Sequence, residues 1–241
     1  MTEDTSRILE KYSGQFADIF PERNTLYIVS TPIGNLEEIS FRALEILRKC
    51  DFIACEDTRH SGILLKHFGI NTRMISYYSN VEARKTDIII DLLKEGKTGA
   101  LISDAGTPCI SDPGGMLVSR CLSEEIEVRA IPGSSSLIHA LIMSGFPVNE
   151  FFFQGFLPQK KGRKTLIEEL TAKKLLIVIF ESPYRIKKTI TELGNAFGNK
   201  PASVSRELTK KIEQTVRGGL KDLAQSRFPE KGEFVLLINN N

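Results

Sequence analysis

Short apolar runs alternate along this chain with stretches whose apolar residues recur every three or four positions. These are the signatures of buried strands and amphipathic helices. Leu26-Tyr27-Ile28-Val29-Ser30 is such a run, and it ends in the turn-forming Thr31-Pro32-Ile33-Gly34-Asn35. Ser40 stands where an N-cap would, ahead of a helical pattern over 41–49. Residues 51–55 predict a second strand, stopped by Glu56-Asp57-Thr58-Arg59. Residues 60–68 predict a helix with Gly69 at its C-terminal end. A helix over 81–94 ends near Gly96, and 98–103 is a strand followed by a loop rich in Gly and Pro. Residues 115–124 read as helix, 127–131 as strand and 134–143 as helix. Strand, loop and helix repeated in this order call for a parallel sheet with helices on both faces.

Gly145-Phe146-Pro147-Val148-Asn149 interrupts that rhythm. Beyond it, strands are predicted over 151–156, 175–180, 202–206, 212–217 and 233–238, with helices over 162–172, 184–197 and 220–226. Several of these strands follow one another without a helix between them, so the second sheet should be mixed. The fold class is α/β in two domains. A polar leader (1–24) precedes an N-terminal domain with a mainly parallel sheet and flanking helices (25–146), and a C-terminal domain with a mixed sheet and helices follows (147–241).

Composition narrows the class. The chain has 241 residues, 41% hydrophobic and 26% charged, as in an ordinary soluble globular protein. No apolar run approaches the roughly 20 residues of a membrane span. The first residues mix Glu3, Asp4, Arg7, Glu10 and Lys11 with no apolar segment behind them, so no signal peptide is expected and the reading is cytoplasmic. Cys50, Cys55, Cys109 and Cys121 are not spaced as metal ligands, and His60, His67 and His139 do not cluster with them. Reduced, buried thiols and no metal are expected. The net charge of +2 conceals an asymmetry: residues 1–150 carry 15 Lys and Arg against 21 Asp and Glu, whereas residues 151–241 carry 17 against 9. A basic C-terminal half suits a polyanionic partner or a solvated lysine-rich surface.

In open parallel sheets ligands bind beyond the carboxyl ends of the strands, and the unusual residues of this chain stand there. Ser103-Asp104-Ala105-Gly106-Thr107-Pro108-Cys109-Ile110-Ser111-Asp112-Pro113-Gly114-Gly115 is thirteen residues long. Most connections of this kind need about 2–6 residues, so a binding loop is expected. Its glycines let backbone approach a ligand and its prolines fix the course. Ile131-Pro132-Gly133-Ser134-Ser135-Ser136 is a second such loop, whose serines can also cap the helix that follows. Neither is a dinucleotide fingerprint nor a phosphate loop, which disfavours NAD and ATP chemistry.

Thr31-Pro32-Ile33-Gly34-Asn35-Leu36, Glu56-Asp57-Thr58-Arg59, Ser103-Asp104-Ala105-Gly106-Thr107-Pro108, Pro132-Gly133-Ser134, Gly155-Phe156-Leu157-Pro158, Arg206-Glu207-Leu208-Thr209-Lys210 and Lys231-Gly232-Glu233 occur in this order. The ordered set resembles the 16S ribosomal RNA cytidine 2′-O-methyltransferases, RsmI type, of the tetrapyrrole methylase superfamily, over about residues 26–238. The resemblance implies two α/β domains with S-adenosylmethionine in the cleft between them, a homodimer, and the ribose 2′-hydroxyl of a cytidine in the decoding region as methyl acceptor. The partner is then 16S ribosomal RNA or the small ribosomal subunit, with no membrane and no DNA. The chain departs from the family at Tyr78-Ser79-Asn80, where members often have His-Asn-Glu, and some members carry a further C-terminal segment.

Carried over by motif, the cofactor residues are Pro32, Ile33, Gly34, Asp104, Gly106, Thr107, Pro108, Ile110, Gly133, Ser134, Ser135 and Phe180. Glu56, Asp57, Asp104, Glu181 and Glu207 stand at strand ends and are candidates to accept the hydroxyl proton. Each also has a structural reading, as a partner of Arg59 for the first two and of Arg206 or Lys210 for Glu207. Lys160, Lys161, Arg163 and Lys164 place four cations in five positions at a helix start, where they oppose the helix dipole, so phosphate binding is the better use for them. Arg59, Arg185, Arg206 and Lys210 are further candidates for RNA contact. A tetrapyrrole methyltransferase of the same fold is the alternative enzyme, and a non-catalytic RNA-binding assembly module the alternative of another class.

Overall fold

A computed structural model describes residues 21–229 and 231–241, so the leader expected over 1–24 lies mostly outside the described residues. The chain divides into two compact units, the first up to Ser135 and the second from Ser136.

The first unit is built on β1 (Thr25–Val29), β2 (Phe52–Cys55), β3 (Met74–Ser76), β4 (Thr98–Ile102) and β5 (Glu127–Ile131), in the order β3-β2-β4-β1-β5. Every pairing between these strands is parallel. Successive residues of β1 face opposite ways, as the period of a strand requires. Tyr27 and Val29 pack with α1 (Phe41–Lys49) and α2 (Thr58–His67), while Leu26 and Ile28 pack with α3 (Glu82–Lys94) and α4 (Gly115–Ser123). Helices thus cover both faces, which is why β1, β2 and β4 are buried along their whole length and read as near-continuous apolar runs.

Ser40 caps α1 as expected, its hydroxyl accepting from the N–H of Ala43 at 3.1 Å. Helix α2 starts two residues before the predicted His60, because Asp57 is its N-cap and accepts from the N–H of Arg59 at 2.8 Å. Strand β3 was not predicted. Three residues are too few to show a period.

The second unit opens with α5 (Ser136–Ser144). Its strands are β6 (Phe151–Phe156), β7 (Leu176–Glu181), β8 (Pro201–Arg206), β9 (Gln214–Gly219) and β10 (Phe234–Asn239), in the order β6-β7-β10-β8-β9. Only β6 and β7 run parallel, so the sheet is mixed as predicted. Helices α6 (Arg163–Thr171), α7 (Ile186–Phe197) and α8 (Leu220–Gln225) contribute Ile167, Leu170, Ile190, Leu193 and Leu223 to one core with Ile177, Ile179, Val204 and Leu236 of the sheet. Helix α5 packs on β8, β9 and β10. The helix that precedes the Gly145-Phe146-Pro147 break therefore sits with the second sheet.

Candidate active site

Strand β4 lies between β1 and β2, so the long loop that follows it is flanked by the turn after β1 on one side and the turn after β2 on the other. The contacts follow from this order. Thr31 and Gly106 form an antiparallel bridge, with Thr31 N–H donating to the Gly106 carbonyl at 2.8 Å and Gly106 N–H returning to the Thr31 carbonyl at 3.1 Å. The hydroxyls of Ser30 and Thr107 lie 2.9 Å apart, and that of Thr107 also donates to the Ser134 carbonyl at 3.2 Å. Ser134 in turn donates to Glu38 at 3.3 Å. The three loops expected to bind a cofactor, after β1, β4 and β5, are therefore laced together.

The glycines serve that lacing. Gly106 has φ +82°, and a Cβ there would stand 3.2 Å from the Cγ2 of Ile33. A Cβ at Gly133 would stand 2.9 Å from the Cβ of Ser30. Both positions bring loop against loop, where the sequence suggested backbone against ligand. Cys109 and Ser111 hold φ of 70° and 68°, so the middle of the long loop is in the left-handed region without glycine. Such outliers concentrate at ligand sites. Pro32, Ile33, Gly106 and Pro108 are buried, whereas Gly34, Ile110 and Gly133 are exposed and Asp104, Thr107, Ser134 and Ser135 half-buried.

On the other side of the long loop, Glu56, Asp57, Thr58, Arg59, Ser76, Tyr78 and Asp104 line a cavity of about 410 Å³. Asp57 N–H donates to the Asp104 carboxylate at 3.2 Å, which ties the turn after β2 to the long loop. Arg59 grips Asp57 through two nitrogens, at 3.1 and 2.7 Å, and holds its carboxyl well below the ordinary range. Glu56 is pushed the other way, by burial and then by the charges of Asp104 and Asp57. Three of the five candidate proton acceptors thus share one cavity with Arg59. Ser76 and Tyr78 were not singled out for this site. Ser76 ends β3, whose three residues show no period, so no strand end marked it in the sequence.

The remaining candidates lie in the second unit, where several have other tasks. The Glu181 side chain is 0% exposed and accepts from Ser182 N–H at 2.8 Å, from Thr189 Oγ1 at 2.6 Å and from Arg185 at 2.7 Å. A carboxylate fully buried and held by three donors, one of them a guanidinium, is out of reach of a substrate hydroxyl, which corrects its candidacy as a base. Arg163 is also buried: it donates to Glu192 at 2.7 Å, to Thr189 Oγ1 at 2.7 Å and to the Pro158 carbonyl at 3.0 Å. It is an internal cation and leaves the phosphate track; Arg185, bound to Glu181 and Ser182, goes with it. Lys160 and Lys161 are exposed just before α6, and Lys164 is 91% exposed on it. Glu207 pairs with Lys210 at 2.9 Å. Arg206 is buried. Phe180 is half-buried and meets Phe153 and Phe156 edge-on at 4.9 and 5.8 Å. Burial pushes the thiol of Cys50 up to about 12 and those of Cys55, Cys109 and Cys121 to about 11, so no thiolate chemistry is available at neutral pH.

Comparison with known proteins agrees with this arrangement. The sequence profile of the Tetrapyrrole (Corrin/Porphyrin) Methylases matches residues 25–224. A protein of Halalkalibacterium halodurans named ribosomal RNA small subunit methyltransferase I is 44% identical over 91% of this chain and 77% of its own. Proteins of the same name are 42% identical in Thermotoga maritima, over 89% of this chain and 97% of the relative, and 46% identical in Synechocystis, over 88% and 78%. Among solved structures, a cobalt precorrin-4 methyltransferase superposes with a TM-score of 0.65 at 19% identity, covering 90% of this chain and 95% of its own. A uroporphyrin-III C-methyltransferase from Thermus thermophilus gives 0.64 at 18%, covering 90% and 96%. At that distance the two structures speak for the fold alone. With the profile covering residues 25–224 and relatives above two-fifths identity along almost the whole chain, this protein belongs to the tetrapyrrole methylase family, among the small-subunit ribosomal RNA methyltransferases I.

Proposed function

We propose that this chain transfers a methyl group from S-adenosylmethionine to the ribose 2′-hydroxyl of a cytidine in the decoding region of 16S ribosomal RNA. The observation that carries the reading is the convergence of the loops after β1, β4 and β5 beside the cavity that holds Glu56. The names of the relatives point to RNA rather than to a tetrapyrrole, and support an enzyme over a passive RNA-binding module.

The donor set of the loops fits that cofactor. Residues 30–36, 103–115 and 131–136 contain no Lys or Arg, and their only charges are Asp104 and Asp112. Neutral hydroxyls, backbone groups and two carboxylates suit a sulfonium cation better than a phosphate-bearing cofactor. Pro32, Ile33, Gly34, the segment from Asp104 to Ile110 and the Gly133-Ser134-Ser135 turn would hold it, and Phe180 is a further candidate by its motif. When bound, it supplies a methyl group that is already electrophilic, so the protein's task is to bring a hydroxyl in line and accept its proton. Proximity of that kind is worth up to roughly 7–11 kcal/mol.

Glu56 is the residue best suited to accept the proton, because its carboxyl is held above the usual range while that of Asp57 is held below it. Asp104 orients the turn that carries both. Lys160, Lys161, Lys164 and Arg59 are exposed and bind RNA phosphates. The protein acts in the cytoplasm as a homodimer; Ile138 and Ile142 of α5 stand exposed and give such an association an apolar surface. Small-subunit RNA lacking the modification, incubated with the protein and methyl-deuterated S-adenosylmethionine, is then mapped by mass spectrometry. One labelled cytidine ribose is expected; label on a base, or none with label on an added porphyrinoid, defeats the reading.

A further inference from the structure

Among the described residues, Arg206 is a buried cation without a counter-charge. It is the last residue of β8, between Phe234 of β10 and Gln214 of β9, and is 9% exposed. Its Nε donates to the Gln214 side chain at 3.2 Å. Its Nη1 is buried and has no hydrogen-bond partner, and no carboxylate pairs with it among the described residues. Charged side chains are almost never so buried unless paired. Four buried side-chain atoms lack a partner among the described residues, and two of them fall here: Arg206 Nη1 and, three residues on, the hydroxyl of Thr209.

The loop that carries them is held in an unfavourable shape. Glu207 and Thr209 have φ of 49° and 66°, and for a β-branched residue such as Thr209 that conformation is an outlier. Neighbouring groups over-determine it. Glu207 is fixed by Lys210 at 2.9 Å, and the Thr209 N–H donates to Glu213 at 2.5 Å. A Cβ at Gly232 would run into the Glu207 carboxylate, so only glycine at that position leaves room for it. Both acids near Arg206 in sequence are thus engaged by other groups, and the guanidinium is left with an open donor, three residues from an unsatisfied hydroxyl of the same loop.

We propose that the Arg206–Thr209 loop is an oxyanion site, completed by a carboxylate or phosphate oxygen that accepts from Arg206 Nη1 and Thr209 Oγ1. Given the function proposed above, that oxygen has two sources, the carboxylate of S-adenosylmethionine and an RNA phosphate. Only the choice between these sources rests on the proposed function; the site itself rests on the buried guanidinium.

The test follows thermal unfolding of the full chain with and without millimolar inorganic phosphate, for wild type, Arg206→Met and Thr209→Val. Phosphate should raise the wild-type midpoint by several degrees. The rise should vanish in R206M and shrink in T209V. Without phosphate R206M should unfold at or above the wild-type midpoint, because it no longer buries an unpaired charge. Two further arms name the source. If R206M ceases to distinguish S-adenosylmethionine from its decarboxylated analogue, the carboxylate is the occupant. If the salt dependence of RNA binding flattens by about 0.7–0.9 in log–log slope, it is a phosphate. A wild type that ignores phosphate, or a shift retained in both variants, overturns the site. So does an R206M protein that is less stable without phosphate and unchanged in both ligand arms, since Arg206 would then be a packing cation. Methyl transfer to RNA is assayed separately and can persist when the site fails.

Discussion

The N–H of Gly114 donates to the carboxylate of Glu82 at 3.0 Å, and so ties the far end of the long loop to the first residue of α3. The same Glu82 oxygen accepts from the hydroxyl of Tyr77 at 3.1 Å, and Tyr77 is fully buried. A loop thirteen residues long is held at both ends, by the Thr31–Gly106 bridge and by this carboxylate. Glu82→Ala should leave the Gly114 N–H short of an acceptor and the buried Tyr77 hydroxyl with Thr86 alone, at a cost of about 1–3 kcal/mol in chemical denaturation. Titration calorimetry should show weaker S-adenosylmethionine binding in the same variant. Unchanged affinity would mean that the loop keeps its shape without this anchor.

Gly106→Val puts a β-branched side chain at φ +82° and a Cβ against Ile33. The strain is on the order of 1–3 kcal/mol. Unfolding should remain cooperative, because Gly106 belongs to a loop and the cores of the unit lie elsewhere. Cofactor affinity should fall by tenfold or more as the bridge to Thr31 opens. Normal affinity in a folded variant would remove this loop from the site.

Glu56 links activity and stability with opposite signs. Its carboxyl is raised in the folded protein, so the fold penalises its charged form relative to the unfolded chain. Glu56→Gln should therefore raise the unfolding midpoint slightly at neutral pH. That advantage should disappear as the pH falls below the ordinary glutamate range, where both states are protonated. Methyl transfer should drop by about 10²–10⁴-fold. The acid limb of the wild-type rate profile should lie above the usual carboxylate range and vanish in the variant. Full activity in E56Q would assign the proton to another acceptor.

The two kinds of cation near α6 should separate cleanly. Replacing Lys160, Lys161 and Lys164 with Ala should leave stability almost unchanged, since all three are exposed. RNA binding should weaken, with its log–log salt slope flattened by up to about two to three units. Arg163→Ala should instead cost about 1–3 kcal/mol of stability, because half-buried Glu192, the buried Thr189 hydroxyl and the Pro158 carbonyl lose the donor that joins them. A salt slope unmoved in the triple variant would take the lysines off the RNA track. An Arg163→Ala protein of wild-type stability would contradict its role as an internal ion.

Much of the architecture could be read along the chain. Ser40 and the pattern after it mark α1 to the residue, and the runs at 127–131 and 151–156 coincide with β5 and β6. Two sheets of different kind, and the long loop after β4 as the likeness of a binding loop, were legible for the same reason. Period, capping and turn chemistry are properties of neighbouring residues, and they act before any distant contact forms. The candidate site was legible only as a set of parts. Glu56, Asp57 and Asp104 were each visible at a strand end, yet their common cavity depends on β4 being placed beside β2.

What tertiary structure alone decided is which charged groups face solvent and which face one another. Lys160, Lys161, Arg163 and Lys164 are one cluster in sequence. In the fold Arg163 turns inward to Glu192 and Thr189, residues of α7, while the three lysines remain in water. Glu181 ends a strand as a base would, but α7 brings Thr189 and its approach brings Arg185 onto it, and together they bury it as an internal ion. Arg206 ends another strand as a surface cation would, and the pairing of β8 between β9 and β10 buries it with no carboxylate partner among the described residues. The sequence by itself determined where elements begin, which period each follows and which loops are too long to be mere connections. Strand order, and with it the partner of every buried charge, was decided by the one arrangement that hides both faces of each sheet, a condition set by residues far apart along the chain.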